Sequence, residues 1–251
     1  MNPLVITGTA ITQNYVSKAR NYLSCLNRLK TPKFCICYDF PAGNLPLEFS
    51  SCVFTSVDAL PGDVVCDGIL QNGPWLRGIG KLHPRDILLL TDADGVIQRD
   101  LTDQEQKTIL NLEDNDILVG WNHGVGDNLK MESNRLRYYW NGITDEELDS
   151  MYPGHQDVPC YNCGFMAMNQ HTWTRYAEVY AEEWPRFNKL FLHRARCQWL
   201  SCWVFRKYGF NIIECSPVLH SHGHGVSQDG ITRENGRVFW NNQLIFFAHM
   251  L

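Results

Sequence analysis

The stretch Ile87-Leu88-Leu89-Leu90-Thr91-Asp92-Ala93-Asp94-Gly95 runs from apolar residues straight into two carboxylates that are separated by one small residue. An apolar run of this kind predicts a strand that is buried on both faces, as at the centre of a sheet. In open α/β sheets, ligands bind in the crevice beyond the carboxyl ends of the strands. We therefore expect the side chains of Asp92 and Asp94 to turn toward a bound ligand.

The chemistry of the two aspartates predicts a divalent metal site. Carboxylate oxygens are the ligands that Mg²⁺ and Mn²⁺ prefer, and Ala93 and Gly95 leave room for a bulky ligand beside them. A cation in this place can neutralise a diphosphate and stabilise it as it leaves. The alternative is a polar strand end at which the two aspartates start a turn, because the D-x-D pattern is short.

Strand-like and helix-like patterns alternate on both sides of this stretch. Short apolar runs predict further strands at 4–7, 34–38, 53–56, 117–121, 164–168 and 244–248. Apolar residues recur at helical spacing between 15 and 29, which predicts a helix. Strands that alternate with helices form α/β sheets. The predicted fold class is therefore α/β, with a Rossmann-like mixed central sheet flanked by helices.

Local signals also predict where several helices begin and end. Thr102 and Thr144 each stand three residues before a glutamate, the reciprocal arrangement that satisfies the free amides at a helix start. The segment 173–184 has helical periodicity, and Pro185 should end that helix. A longer helix is expected from about 189 to 208.

The composition limits the class of protein. The chain has 251 residues, of which 44% are hydrophobic, which suits one sizeable core and a single domain over 1–251. Its net charge of −5 and the lack of a basic block argue against bulk binding of nucleic acid. No basic segment precedes an apolar run at the N-terminus, and no apolar stretch approaches the roughly 18 residues of a membrane span. We expect no secretion signal, no membrane span and a cytoplasmic location.

The ten cysteines lie mostly inside apolar segments, which favours buried free thiols in a reducing compartment. Cys160 and Cys163 have C-x-x-C spacing. No second pair lies at the distance of a zinc site, and the following residues continue as a strand instead of opening a redox helix. We therefore favour buried thiols there over metal or redox chemistry.

These features resemble the GT-A glycosyltransferases, especially those similar to family 8, the glycogenin and galactosyltransferase-like group. The family pattern is an N-terminal strand and helix, followed by an apolar strand that ends in D-x-D, here 88–94. An N-x-G segment and strand come next, here 161–169, and then a helix entered by a polar pair, Asp-Gln in the family and Cys197-Gln198 here. A late histidine completes the metal site. Order and spacing match over most of the chain, with identity in short blocks.

The resemblance implies an activity. It implies a single-domain GT-A enzyme that transfers a hexose, glucose or galactose, from a nucleotide-diphosphate sugar to an acceptor hydroxyl with retention. A UDP-sugar is the preferred donor, a glycan or another hydroxyl compound is the acceptor, and Mn²⁺ or Mg²⁺ is the cofactor. Residues 1–120 would form the nucleotide-binding half, and residues 121–251 would bind sugar and acceptor.

The resemblance also assigns residues to the donor. Thr7, Gly8 and Thr9 would line the nucleotide pocket, and the backbone of Ala93 would lie near the ribose. Gln71 falls in a segment that packs over the donor in similar enzymes.

Other polar residues are assigned to the phosphates and the sugar. Arg77 could reach a phosphate, although a surface salt bridge is the simpler interpretation. Asn162 and Gln198 would approach the sugar, and Asp157 could bind donor or acceptor hydroxyls. The lack of an aspartate before Gln198 leaves inversion open, and Asp157 is then a possible base.

Histidines near the C-terminus are candidates for the third metal ligand. His249 follows the apolar run 244–248, as the aspartates follow theirs. His220, His222 and His224 alternate, so on an extended backbone all three would face one side and could form a zinc site. We favour His249 as the ligand, with His222 second, and we expect a member of the trio, His222 or His224, to contact the phosphates or the sugar.

Two other functions remain compatible with the sequence. One is a sugar-nucleotide-binding protein of the same fold without turnover. The other is a metallohydrolase built on the histidines at 220, 222 and 224.

Overall fold

A seven-stranded mixed sheet forms the centre of the fold. The computed structural model describes residues 2–45, 53–61, 63, 73–121, 128–130, 142–190, 196–222 and 230–249. Within them the strands are β1 (Val5–Thr12), β2 (Lys33–Tyr38), β3 (Val53–Val57), β4 (Ile87–Thr91), β5 (Val96–Ile97), β6 (Asp116–Gly120), β7 (Asn162–Asn169), β8 (Asn211–Glu214), β9 (His220–His222), β10 (Ile231–Glu234), β11 (Arg237–Trp240), β12 (Gln243–Leu244) and β13 (Phe247–His249). The α-helices are α1 (Arg20–Arg28), α2 (Asp103–Leu110), α3 (Asp145–Met151), α4 (Gln170–Phe187) and α5 (Arg196–Lys207).

The main sheet has the order β3-β2-β1-β4-β7-β6-β8. β7 runs antiparallel to both of its neighbours, and the other pairs are parallel. The central strand β4 is buried on both faces, because Leu88 and Leu90 pack in the core beneath α4 and α5, whereas Ile87 and Leu89 pack beneath α1 and α2. The predicted α/β fold with a mixed central sheet is confirmed.

The two halves of the chain share this sheet. β7 belongs to the second half, yet it lies between β4 and β6 of the first half. The residues that follow β4 and those that begin β7 therefore meet at one edge of the sheet. The division of labour between 1–120 and 121–251 stays a prediction.

An aromatic layer fixes the position of β4 on the face covered by α4. Trp173 is fully buried and donates a hydrogen bond from Nε1 to the carbonyl oxygen of Leu88 at 3.1 Å. Its ring packs edge-on against Trp75 at a centroid distance of 5.0 Å, and Trp75 stacks on Phe34 at 5.7 Å. Because β4 carries the two aspartates at its end, this packing also fixes their position.

The prediction that Pro185 ends its helix is wrong, because α4 continues to Phe187. A proline in the last turn removes one backbone hydrogen bond. Phe187 is fully buried and packs against Tyr152 and Trp199 at centroid distances of 6.1 and 5.1 Å. The burial of this ring offsets the lost hydrogen bond. The next helix, α5, is described from Arg196 onward, and Lys189, near which it was expected to begin, lies in a turn.

The apolar run 244–248, predicted as one strand, is divided between β12 and β13. Ile245 and Phe246 between them are fully buried. The amide of Ile245 donates to Val238, and that of Phe246 donates to Val218. Because these two partners lie in different segments, the chain leaves one small sheet, β10-β11-β12, and enters another, β5-β13-β9.

The cysteines depart in one place from the expectation of free thiols. Of the eight cysteines in the described residues, seven are buried thiols, Cys160 and Cys163 included, whereas Cys197 is disulfide-bonded. Disulfides persist in oxidising compartments, so the expected cytoplasmic location stays a prediction. Among the described residues, no helix combines the length and the apolar character that crossing a bilayer requires.

Candidate active site

Asp92 and Asp94 follow the carboxyl end of β4, in the middle of the main sheet, as predicted. The backbone amide of Asp92 donates to the carbonyl oxygen of Gly164 at 2.8 Å, which extends the pairing of β4 with β7. The Asp92 side chain is 9% exposed and that of Asp94 is 27% exposed, and Ala93 between them is buried. One carboxylate is therefore fixed in the protein and the other is open to a ligand.

His249 joins the two aspartates because the small sheet brings β13 next to them. β13 pairs with β5, the strand that follows the Asp94-Gly95 turn, and places Ala248 opposite Val96. Gly95 permits this approach, since a Cβ there would lie 2.3 Å from the ring of Phe247. The Nε2 atom of His249 lies 3.3 Å from Oδ2 of Asp92 and 3.1 Å from Oδ1 of Asp94.

Gly164 of β7 forms the wall behind this group. A Cβ at Gly164 would lie 2.5 Å from Oδ2 of Asp92 and 2.7 Å from Cε1 of His249. Any side chain there would occupy the space in which the carboxylate and the imidazole converge.

Asp92, Asp94 and His249 form the one group of potential metal ligands found in the part of the chain that the structure describes. One ligand atom from each residue lies within 4.8 Å of the other two. Two carboxylate oxygens and one imidazole nitrogen suit Mg²⁺ or Mn²⁺. Three protein ligands leave coordination positions for phosphate oxygens, so the donor set fits a divalent cation that binds a diphosphate.

The charged side chains of this group stabilise one another. Burial opposes the charged form of His249, but its contact with Asp94 and the charge of Asp92 outweigh burial and raise the pKa of the imidazole. Burial alone would raise the pKa of the Asp94 carboxyl. The contact with His249 and, to a smaller extent, Tyr15 outweigh burial and lower this pKa. A metal ligand must be neutral imidazole, so cation binding here would release a proton.

Tyr15 is a site residue that the sequence analysis missed. It lies in a 3-10 turn, Gln13–Tyr15, that directly follows β1, and its side chain contributes to the lowered pKa of Asp94. The rule that ligands gather beyond strand ends applies to β1 as well as to β4. The rule would have found Tyr15 if the predicted strand had ended at Thr12 instead of Thr7.

Thr7, Gly8 and Thr9 lie within β1 and not at its end. The two threonines are 1% and 2% exposed. A Cβ at Gly8 would lie 2.4 Å from the carbonyl oxygen of Phe34, so this glycine allows β1 and β2 to approach. The carboxyl end of β1 is at Thr12, and the predicted contact of the three residues with a nucleotide stays a prediction.

Asn162 and Gln198 lie on the β7 side of the site. Asn162 is buried, and its Oδ1 accepts a hydrogen bond from the amide of Gly164 at 2.9 Å. Gln198, on α5, donates from Nε2 to the sulfur of Cys160 at 3.4 Å. Asp157 is exposed in the segment before β7. Asn162 is thus linked through Gly164 to the group of metal ligands.

The other predicted histidines have different positions. His220 is fully buried and stacks on Phe247 at a centroid distance of 5.7 Å, so it belongs to the core. His222 is the register partner of His249 in the β9–β13 pair. His224 lies outside the described residues, as does Gln71.

The guanidinium of Arg77 forms a bidentate pair with Asp63 at 2.8 and 2.6 Å. It also donates to the carbonyl oxygen of Asp58. This is the surface salt bridge that the sequence analysis kept as the simpler interpretation, and a contact of Arg77 with phosphate stays a prediction. The hydrogen bonds from Arg77, opposed by burial, lower the pKa of Asp63 from 3.8 to about 2.

We expect Arg77→Gln to lower the free energy of unfolding at pH 7 by at most about 1 kcal/mol, because the arginine is partly exposed. A carboxyl with a depressed pKa stabilises the fold above its unfolded pKa and loses that contribution as the pH falls through its folded pKa. The difference from wild type should therefore shrink between about pH 4 and pH 2. Urea unfolding of both proteins at pH 5 and pH 2.5 measures this difference in the free energy of unfolding. A difference that does not change with pH contradicts the prediction, and Arg85→Gln, an exposed arginine nearby, is the control.

Comparison of the sequence with protein-family models and with curated proteins finds no match. Solved structures do match. The galactosyltransferase LgtC, in complex with donor and acceptor sugar analogues, aligns with a TM-score of 0.54 at 12% identity over 98% of this chain and 87% of LgtC. Mouse xyloside xylosyltransferase 1 in its apo form aligns with a TM-score of 0.50 at 10% identity over 88% of this chain and 87% of that one.

Both neighbours are glycosyltransferases of the GT-A fold, and the likeness shows that this chain has the same fold. The finer resemblance to family 8 stays a prediction.

Proposed function

We propose that this protein is a metal-dependent glycosyltransferase that transfers a hexose from a nucleotide-diphosphate sugar to the hydroxyl of a glycan or another acceptor. The observation that carries the proposal is the convergence of Asp92, Asp94 and His249 beyond the central strand of a GT-A sheet. The two solved neighbours are named as a galactosyltransferase and a xylosyltransferase, and the first binds donor and acceptor analogues. A UDP-sugar is the preferred donor on the ground of the resemblance.

Asp92, Asp94 and His249 would hold Mn²⁺ or Mg²⁺. When bound, the cation supplies Lewis-acid stabilisation to a leaving diphosphate. Asp92 and His249 are nearly buried and keep their positions, and the partly exposed Asp94 faces the solvent from which a donor arrives.

The residues at the start of β7 and on α5 would orient the transferred sugar. Because Oδ1 of Asn162 is used by the amide of Gly164, the amide nitrogen of Asn162 is the group that would donate to a sugar hydroxyl. The Nε2 of Gln198 is directed at Cys160, so its carbonyl oxygen would accept. We propose retention on the ground of the resemblance, with Asp157 as the base if transfer inverts.

The described residues are compatible with one of the two rival functions and disfavour the other. A sugar-nucleotide-binding protein would use the same group of ligands and differ only in turnover. A metallohydrolase based on the histidine trio is disfavoured, because His220 is packed in the core against Phe247.

Titration with UDP-, GDP- and CDP-sugars, with and without Mn²⁺, tests the proposal by calorimetry and thermal shift. We expect one nucleotide sugar to bind only in the presence of the cation and to be slowly hydrolysed when no acceptor is added. Binding without hydrolysis or transfer would favour the non-catalytic protein. No nucleotide binding under any of these conditions would overturn the proposed function.

A further inference from the structure

A groove lies between α5 and the segment that leads into β7. Its volume is about 430 Å³, within the range of roughly 300–1,000 Å³ that small-ligand sites occupy. Asp157 and Tyr161 of the segment that leads into β7, Cys202 and Arg206 of α5, and Phe210 are among the residues that line it. All of these residues belong to the described part of the chain.

A short segment of the chain connects the groove to the group of metal ligands. Tyr161 on its wall precedes Asn162, whose side chain binds the amide of Gly164, and Gly164 in turn binds the amide of Asp92. At a strand rise of about 3.3 Å per residue, Tyr161 and Gly164 are roughly 10 Å apart. The groove and the predicted donor site therefore lie at the two ends of one short segment.

Helix α5 provides a second connection. Gln198, Cys202 and Arg206 follow one another at intervals of four residues, so they lie on one face of the helix. Gln198 points to Cys160, beside the start of β7, and Arg206 lies at the outer end of the groove. This face of α5 therefore extends from Gln198, which is expected to approach the sugar, into the groove.

The two charged side chains of the groove have no partner in the part of the chain that the structure describes. Asp157 and Arg206 are exposed, and neither side chain has a hydrogen bond or an ion pair among the described residues. A carboxylate accepts hydrogen bonds and a guanidinium donates them. Because their charges are opposite, the two groups together give the groove no net preference for an anion or a cation. Hydroxyl groups both donate and accept, so a neutral polyhydroxyl compound can satisfy both walls.

The other side chains that line the groove are mostly apolar. Tyr161 is half-buried, and its backbone amide donates a hydrogen bond to the sulfur of Cys202 at 3.2 Å, which ties this residue to α5. An aromatic ring offers a flat apolar surface together with one polar group. A sugar ring has the complementary form, since its C–H groups make an apolar face and its hydroxyls lie at the rim.

We propose that this groove is a subsite for a neutral sugar ring of the acceptor, which packs on Tyr161 and hydrogen-bonds Asp157 and Arg206. Its role as an acceptor site rests on the proposed glycosyl transfer, whereas the binding of a saccharide in the groove is independent of that proposed function. An acceptor glycan held here would extend toward Asn162 and Gly164, where the donor sugar is expected.

Ligand-observed NMR with D-glucose, D-galactose, N-acetyl-D-glucosamine, lactose and maltotriose tests the proposal on the full chain. We expect at least one of these saccharides to bind the wild type. Arg206→Gln should raise its dissociation constant about tenfold, because a hydrogen bond to a charged group contributes affinity of that order. Arg237→Gln, an exposed arginine on β11, is the matched control and should bind as the wild type does.

Failure of this proposal can be told from failure of the proposed function. Asp94→Ala should keep saccharide binding while it loses Mn²⁺-dependent binding of a nucleotide sugar. Saccharide binding that Arg206→Gln weakens supports the subsite even if no nucleotide sugar binds. Binding of a nucleotide sugar without any saccharide binding overturns the subsite and leaves the function intact. Saccharide binding that Arg206→Gln does not change also overturns the subsite.

Discussion

Asp94→Ala is expected to lower the rate of glycosyl transfer about a thousandfold. The substitution removes one of the three ligands that converge in the site. Metal stabilisation of a leaving group contributes several kcal/mol to the transition state, and each 1.4 kcal/mol or so changes the rate tenfold. Hydrolysis of a UDP-sugar at saturating Mn²⁺, together with Mn²⁺ affinity from electron paramagnetic resonance, measures both effects.

Asp103→Ala provides the control for the loss of a carboxylate. Asp103 is exposed in the first turn of α2 and is not a member of the group of metal ligands. It should leave Mn²⁺ affinity and turnover unchanged. If Asp94→Ala keeps metal-dependent turnover at the wild-type rate, Asp94 does not bind the ion that catalysis uses.

Gly164→Ala is expected to weaken Mn²⁺ binding about a hundredfold, the upper part of the range for changes that displace metal ligands. The added methyl group would lie 2.5 Å from Oδ2 of Asp92 and 2.7 Å from His249. Both contacts are with the ends of side chains, so these side chains move and the backbone keeps its place. Titration of Mn²⁺ measures the loss, and thermal unfolding shows whether the fold is retained.

Gly43→Ala is the matched control, because a Cβ at Gly43 would meet no atom within 4 Å. It should bind Mn²⁺ as the wild type does and keep or slightly increase thermal stability. Equal Mn²⁺ affinity of Gly164→Ala and wild type would show that the ion does not sit between Asp92 and His249.

Features that depend on neighbouring residues could be predicted from the sequence. The capping boxes at Thr102 and Thr144 are both present, since each is completed within one helical turn. β4 and the two aspartates are also where the sequence places them, because an apolar run that ends in carboxylates has few other arrangements in an α/β sheet.

Features that depend on distant residues could be predicted only as alternatives. His249 was one of several histidine candidates, and its choice follows from the pairing of β13 with β5. The role of Gly164 depends on the register of β7 against β4, where Thr91 is paired with Phe165. Tyr15 could not be assigned, because the end of β1 was placed too early. Strand pairing and register of this kind are properties of the whole chain.

The site draws its ligands from segments that are far apart in sequence. Asp92 and Asp94 follow β4, whereas His249 ends β13, and the strands β5 to β12 and the four described helices α2 to α5 lie between them. A cation held by all three residues would act as a removable cross-link that closes this long loop. A ligand that binds only the folded chain adds stability that grows with its concentration. The supply of the ion would then set how firmly β13 is held against the end of β4, in addition to how fast a sugar is transferred.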